Sequence, residues 1–390
     1  MRKSPPSVTY VLTHLAYGGA ETQVVELCRH VKELGWRPSI LSLMRPSGLL
    51  ERLADIGVPV VHLDIRRGSW TPRIVTGLRR EVTRLAPTVL HSHTLPANFA
   101  ARVIRPMTQV PVLVTSAHNI WEGGALRMLF YRLTDRLTDL TTNCSTAAVD
   151  RYVDIKAAPA SRIRYMPNGI DIDRFAPDPE RRQAARSQLG LGDAFVYLAV
   201  GRMTEQKDWP NLLDAAARAL GPNDRLLVVG EGELRNEVAR GIVERRLGDR
   251  VQMLGTRTDI DDLMRAADVY VMSSAWEGLP IVLLEASAAG LPIIATNVGG
   301  NDQIVQPGVT GWLVPAQSAN ALAQAMMQVR QTPAARRAAM GQQARHHVAT
   351  TYSMAAIAKT WVALYEDLLA KRATDPWSWH APRVALEASR

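Results

Sequence analysis

Short runs rich in Val, Ile and Leu recur along the chain with helical stretches between them, and this alternation leaves few folds open. In the first half, strands are expected at 8–12, 38–43, 59–63, 88–92, 110–115 and 163–166, with helices such as 20–34 and 73–85. In the second half the strands are 195–200, 225–229, 251–254, 268–272 and 292–295, with helices at 209–220, 234–246 and 280–289. Strand–helix–strand repeats favour parallel sheets covered by helices. A chain of 390 residues is long enough for two such domains. The polar stretch 174–191, with Pro177 and Pro179, reads as a linker followed by a small helix. The expectation is therefore α/β: two doubly wound Rossmann-like domains, 1–178 and 190–350, with a cleft between them. Ligands in such sheets lie beyond the carboxyl ends of the strands.

The most informative stretch is Trp276-Glu-Gly-Leu-Pro-Ile-Val-Leu-Leu-Glu285, after the strand-like run Asp268-Val-Tyr-Val-Met272. Pro280 suits the first turn of a helix, where its missing N–H would be an orphan. Gly278 permits close backbone approach. A helix start of this kind, with amides around Gly278, Leu279 and Pro280, can hold a diphosphate. Glu277 precedes it in the loop, and Glu285 lies roughly 7–8 Å further along at ~1.5 Å per residue. Carboxylates so placed can accept hydrogen bonds from hydroxyls on either side of a diphosphate. A nucleoside diphosphate sugar carries such hydroxyls at both ends.

Other pieces fall in a fixed order: Tyr17-Gly-Gly-Ala-Glu21, Pro167-Asn-Gly-Ile-Asp-Ile-Asp-Arg-Phe175, Val200-Gly-Arg-Met-Thr-Glu-Gln-Lys207, Val229-Gly-Glu-Gly232 and Gly299-Gly300. With the paired glutamates, this set resembles the retaining GT-B glycosyltransferases, in particular glycosyltransferase family 4, across nearly all of residues 7 to 370. The resemblance implies the GT-B fold, with a closing helix at about 353–370 that crosses back to the first domain. It assigns Arg202 and Lys207 to the diphosphate, Glu277 to the transferred sugar and Glu285 to the ribose. The loop of Gly18 and Gly19 is placed across from the donor phosphates, and His118 at the junction of donor sugar and acceptor. It places residues 229–233 by the nucleoside. The loop 254–257 with Gly255 is the other piece expected to frame the base. It implies same-face attack by the acceptor, with the departing phosphate helping to take its proton.

Read without the resemblance, the same residues are less decided. Arg202 and Lys207 follow a strand end, where two cations can clamp a leaving diphosphate or stand as a solvated loop pair. Gly18-Gly19 opens a helix, as in many α/β folds, and is not Gly-x-Gly-x-x-Gly. Val229-Gly-Glu-Gly likewise lacks the third glycine of a nicotinamide site. His118 follows a strand and either reaches the cleft or serves the core. His91 and His93 are expected to face opposite ways, so that at most one reaches the cleft, with His93 ranked below His118. Two Asp-x-Asp strings, 171–173 and 259–261, are read as a turn and a helix start. No metal and no cofactor are expected, since cations and a helix dipole already meet the diphosphate charge.

Two cysteines, Cys28 and Cys144, make no disulfide framework and suit a reducing cytoplasm. No apolar run is long enough to span a membrane, and the N-terminus does not read as a signal peptide. The net charge is +9, and residues 1–150 carry 18 Lys and Arg against 11 Asp and Glu. A basic half favours an anionic partner; nucleic-acid signatures are lacking. Apolar positions 126, 129, 130, 133, 137 and 140 have helical spacing, flanked by Arg127, Arg132 and Arg136. That stripe is expected to pack on the first domain's sheet. The basic surface, with Arg66, Arg67, Arg73, Arg79, Arg80 and Arg84, is expected to dock on anionic lipid at the inner face of the cytoplasmic membrane.

The sequence thus points to transfer of a hexose-type sugar from a nucleoside diphosphate sugar to a lipid-linked or saccharide acceptor, in bacterial surface polysaccharide or glycolipid synthesis. The alternatives are an epimerase or phosphorylase on the same fold, or a non-catalytic nucleotide-sugar-binding protein. The tail 371–390, with Trp377 and Trp379, shows no period.

Overall fold

The computed structural model describes residues 5–66, 72–119 and 124–374. The chain divides into two compact units, Met1–Gly169 with Met354–Arg390, and Ile170–Ser353. Arg67 and the tail beyond 374 lie outside the described residues.

The first unit is built on seven strands: β1 Ser7–Leu12, β2 Arg37–Ser42, β3 Val60–His62, β4 Val89–His93, β5 Val112–Ala117, β6 Leu140–Asn143 and β7 Ile163–Tyr165. Their order is β3-β2-β1-β4-β5-β6-β7, parallel throughout. The chain winds outward from β1, then returns to start again at β4. The carboxyl ends of β1 and β4 therefore flank the topological switch point, where doubly wound sheets bind ligands.

The second unit repeats the plan with six strands: β8 Phe195–Val200, β9 Asp224–Val229, β10 Val251–Gly255, β11 Val269–Met272, β12 Ile293–Thr296 and β13 Gly311–Val314. The order is β10-β9-β8-β11-β12-β13, again parallel. Here β8 and β11 flank the switch point.

The helix Met354–Thr374 belongs to the first unit although it follows the second in sequence. Ile357, Ala358, Trp361, Leu364 and Tyr365 recur at helical spacing and enter the core of Val8, Tyr10, Val24 and Val31. At the crossing, Gln23 donates to the Gly169 carbonyl (2.6 Å) and accepts from the Gly169 N–H (2.7 Å). A Cβ on Gly169 would lie 2.9 Å from the Met354 Cα, so the Pro-Asn-Gly string needs its glycine for close packing.

The chain divides at 169/170 rather than near 178. Residues 170–178 are bonded into the second unit, where buried Arg265 donates to the carbonyls of Arg174 and Ala176 (2.5 and 2.9 Å). Strands β6 and β13 were not expected. The run Leu-Thr-Thr-Asn reads as polar, yet its hydroxyls work inside the fold. Thr141 receives a bond from the fully buried Arg102 (2.8 Å), and Thr142 bonds Ser116 (2.6 Å). The expected amphipathic run 125–140 is really three elements. The helix ends at Thr134, a 3-10 turn covers Asp135–Leu137, and Leu140 opens β6.

Candidate functional site

Both switch points carry the chemistry-bearing residues, and they are made from different materials. In the second unit, β8 ends at Val200 and the chain turns through Arg202 into a 3-10 turn, Glu205–Lys207. Loops after β8 and β11 are stitched together. Ala275 donates its N–H to the Gln206 carbonyl (2.8 Å), and the Ser273 hydroxyl donates to the Lys207 carbonyl (2.8 Å). This brings Lys207 Nζ within 2.5 Å of Glu277 Oε1. Gln206 Nε2 reaches Glu277 Oε2 at 3.1 Å and the Trp276 carbonyl at 3.0 Å. Glu277 is 5% exposed. A buried carboxylate needs such partners, because desolvating a lone charge is expensive.

The expectation of two cations free to clamp an anion is therefore modified. Arg202 extends as an exposed side chain, whereas Lys207 is already paired with Glu277. One ammonium has three donors, so Lys207 can hold Glu277 and still present protons elsewhere. Gln206 was not singled out from the sequence, although it stands in the quoted string. An amide has no charge pattern to betray it.

Pro280 occupies the N-cap of the helix Ile281–Ala288, not its first turn, with its carbonyl accepting the Leu283 N–H (3.1 Å). The helix start and its dipole remain as expected. Glu285 lies one turn in, half-buried, and with Glu277 it raises the pKa of the buried Tyr270 phenol, although burial is the larger cause. Gly278 and Leu279 are buried in the connecting loop. Gly299-Gly300 explains itself here. A Cβ on Gly299 would fall 2.3 Å from the Glu277 carbonyl oxygen, and the Gly300 N–H donates to the Gly278 carbonyl (2.7 Å). The two glycines let one loop lie against the backbone of the glutamate loop.

Gly230 and Gly232 also serve backbone packing. Added Cβ atoms would meet the carbonyls of Gly201 and Met203 at 2.0 and 2.4 Å. Gly255 ends β10 at positive φ, half-exposed, its carbonyl accepting from Gly230 (2.8 Å). Asp259 is bonded to Arg257 (2.8 Å), and Asp261 to Arg265 and Arg181 (2.9 and 3.0 Å). The Asp171 carboxylate accepts the N–H groups of Asp173 and Arg174 in a turn.

In the first unit, Gly18 is the N-cap of the helix Gly19–Glu33. The Glu21 carboxylate curls back so closely that a Cβ on Gly18 would meet it at 2.4 Å. That helix start faces its own anion.

His118 follows β5, half-buried, and its Nε2 lies 3.0 Å from His93 Nδ1 at the end of β4. The two rings stack at 5.2 Å, and His91 lies 4.1 Å from His93. His91 and His93 therefore share one face. The expectation of opposite faces misread the strand period, in which residues two apart point the same way. His91 bonds the Tyr365 and Ser116 hydroxyls, both at 2.7 Å. His93 Nε2 is buried and makes no hydrogen bond. Desolvation pulls His118 down to about 4 and holds His91 and His93 well below the ordinary imidazole range, helped by their neighbours. Two neutral rings in contact share one proton between them, so the tautomers of His93 and His118 are coupled. Held neutral, the cluster can offer uncharged hydrogen bonds near pH 7.

The comparisons place the chain in a family. Residues 17–174 match the model for Glycosyltransferase Family 4, and residues 181–347 that for Glycosyl transferases group 1. EpsF of Bacillus subtilis, named as a glycosyltransferase, is 30% identical over 76% of this chain and 80% of its own length. The UDP-Gal:alpha-D-GlcNAc-diphosphoundecaprenol alpha-1,3-galactosyltransferase of Escherichia coli is 29% identical over 62% of this chain, a match that spans 66% of that enzyme. Among solved structures, HepE of Anabaena, determined with UDP and glucose, superposes with a TM-score of 0.84. It covers 93% of this chain and 100% of that one at 20% identity, and so shows the GT-B fold alone. With both halves matched by family models and four fifths of EpsF aligned, the chain is a glycosyltransferase that belongs to family 4.

Proposed function

We propose that the protein transfers a hexose-type sugar, with retention at the anomeric carbon, from a nucleoside diphosphate sugar to a lipid-linked or saccharide hydroxyl acceptor, without a metal. The observation that carries this reading is Glu277, buried and held by Lys207 and Gln206 beside a helix start at the β8/β11 switch point. Glu277 takes the hydroxyls of the transferred sugar and Glu285 those of the ribose. Arg202, Lys207 and the amides of Gly278–Pro280 take the diphosphate and the charge that grows on it as it leaves. Gly255 frames the base, and Gly18 and Gly19 remain assigned to the donor phosphates by family likeness. His118, held neutral and oriented by His93, is assigned to the sugar end of the reaction. The acceptor hydroxyl attacks the face the diphosphate leaves, and the departing phosphate oxygen receives its proton.

The acceptor class is supported by relatives named for lipid substrates, among them the diphosphoundecaprenol enzyme of Escherichia coli and the GDP-mannose-dependent alpha-(1-6)-phosphatidylinositol monomannoside mannosyltransferase of Mycolicibacterium smegmatis. Among the described residues no helix is long and apolar enough to cross a membrane, and we assign the enzyme to the cytoplasm, working at the inner membrane face. Calorimetry with UDP, GDP and ADP sugars tests the donor. NMR of the product's anomeric proton tests the stereochemistry: an α-linked donor should give an α-linked product, with EDTA present. A β product, or activity restored only by magnesium or manganese, would overturn the mechanism.

A further inference from the structure

The helix Ala125–Thr134 turns its apolar stripe the other way from the sequence-based expectation. Its inner face is Met128, Tyr131 and Thr134. Leu126, Leu129 and Leu133 stand out from the protein, 79%, 46% and 72% exposed. Their spacing of three and four puts them on one face. Within this helix, Phe130 is the stripe residue that turns toward the fold, against Phe99 at 4.0 Å. Arg127, Arg132 and Arg136 are exposed beside the leucines.

A second observation lies at the carboxyl end of the same helix. Arg132, Arg136 and Lys156 line a pocket of about 300 Å³ with Val153 and Pro159. Its single acid, Asp135, is tied to Arg162 at 3.2 Å, and Arg162 also donates to the carbonyls of Asp135 and Thr138. The pocket thus presents three cations against one acid, and that acid is paired with Arg162.

We propose that this face docks on an anionic phospholipid bilayer, with the leucine row in the interfacial layer and a lipid phosphate seated among Arg132, Arg136 and Lys156. The leucine row spans roughly 10 Å of helix at ~1.5 Å per residue. That is too small for a stable protein interface, which needs about 1,000 Å² in all. A second copy would bring arginine against arginine, which like-charge repulsion opposes. A bilayer supplies both things the face lacks, apolar depth and a dense layer of phosphates. The proposal deepens the lipid-linked acceptor reading, but docking itself needs neither donor nor transfer.

The test is sedimentation of the full chain with vesicles of phosphatidylcholine, with and without phosphatidylglycerol. The protein should bind the anionic vesicles and not the neutral ones, more weakly as salt rises. Arg132→Gln/Arg136→Gln/Lys156→Gln should weaken binding about fivefold per cation, on the order of 100-fold together. Leu126→Ser/Leu129→Ser/Leu133→Ser should remove whatever binding survives high salt. Unchanged thermal midpoints and donor binding show that both variants fold. Failure of the parent to bind anionic vesicles, or variants binding as the parent does, overturns the proposal. So does a leucine variant that merely splits a dimer by light scattering. If vesicles are not bound while UDP-sugar still is, the docking idea falls and the donor reading stands. Loss of sugar-nucleotide binding by the parent would strike that reading instead.

Discussion

The two units share one topology and arm it differently. At the β1/β4 switch point the functional groups are three rings, His91, His93 and His118, kept neutral by burial. At the β8/β11 switch point they are formal charges, Lys207 against Glu277 with Arg202 outside. The difference fits the roles proposed for each. A leaving diphosphate needs positive charge that is already in place. A sugar or an acceptor hydroxyl is uncharged and is better met by neutral hydrogen bonds, which a buried imidazole can make in one fixed tautomer.

This contrast can be broken at several depths. The largest effect should come from Trp361→Ala. Trp361 packs on His91, ring centroids 4.6 Å apart, within the core that the returning helix completes. Truncating a buried tryptophan costs about 3–5 kcal/mol. Urea unfolding should split into two transitions, the first-unit one shifted and the second unmoved; a single shifted transition would show that the units unfold together.

Next in size is Lys207→Met, which leaves Glu277 buried with only Gln206. We expect about 3 kcal/mol lost from the second unit, and donor binding with it. Adding Glu277→Gln should restore much of the stability and none of the binding. Recovery of binding in the double variant would make the pair a structural strut only.

The acid response should separate the units without any mutation. His118 titrates near 6.5 in the unfolded chain and about 4 in the folded one. Above 6.5 both states are neutral there, so nothing is at stake. Between 6.5 and 4 the unfolded state binds the extra proton, and stability falls with pH by up to about 3 kcal/mol for one such ring. Asp259 and Asp261 of the second unit have lowered values, so their contribution is lost only below the ordinary 3.8. Urea midpoints followed from 6.5 down to about 4 should drop for the first unit and hold for the second. A flat first-unit midpoint would mean that the histidines are not buried neutral.

The smallest effect is Gln206→Ala. One hydrogen bond to a buried carboxylate is worth about 1.5–3 kcal/mol at most, and Lys207 remains to hold Glu277. A roughly tenfold rise in donor Kd with little change in melting is expected. No change would leave Gln206 as a loop stitch, through its bond to the Trp276 carbonyl.

What could be read from the sequence divides along the same line as the chemistry. Charges announce themselves, so Glu277, Glu285, Arg202 and Lys207 stood out as candidates, and the helix that starts between the two glutamates is there. The neutral side was harder. His91 and His93 were separated by a misapplied period, though they sit 4.1 Å apart. Gln206 carried no signal at all. Strand β6 hid because its threonines bond inward to Arg102 and Ser116 where a strand usually buries methyl groups. The leucines of Ala125–Thr134 have the period of a core face, and periodicity alone does not say which side of a helix is wet.

The crossing at Gly169 and Met354 has a further meaning. On the far side of it, Ile170 pairs with Ser353, and the Ile170 N–H donates to the Tyr352 carbonyl at 2.8 Å. The second unit thus begins and ends at neighbouring points, as an inserted cassette does. A lineage could exchange such a cassette at two joints that lie side by side in space, replacing one unit while leaving the other, and its interior, as they were.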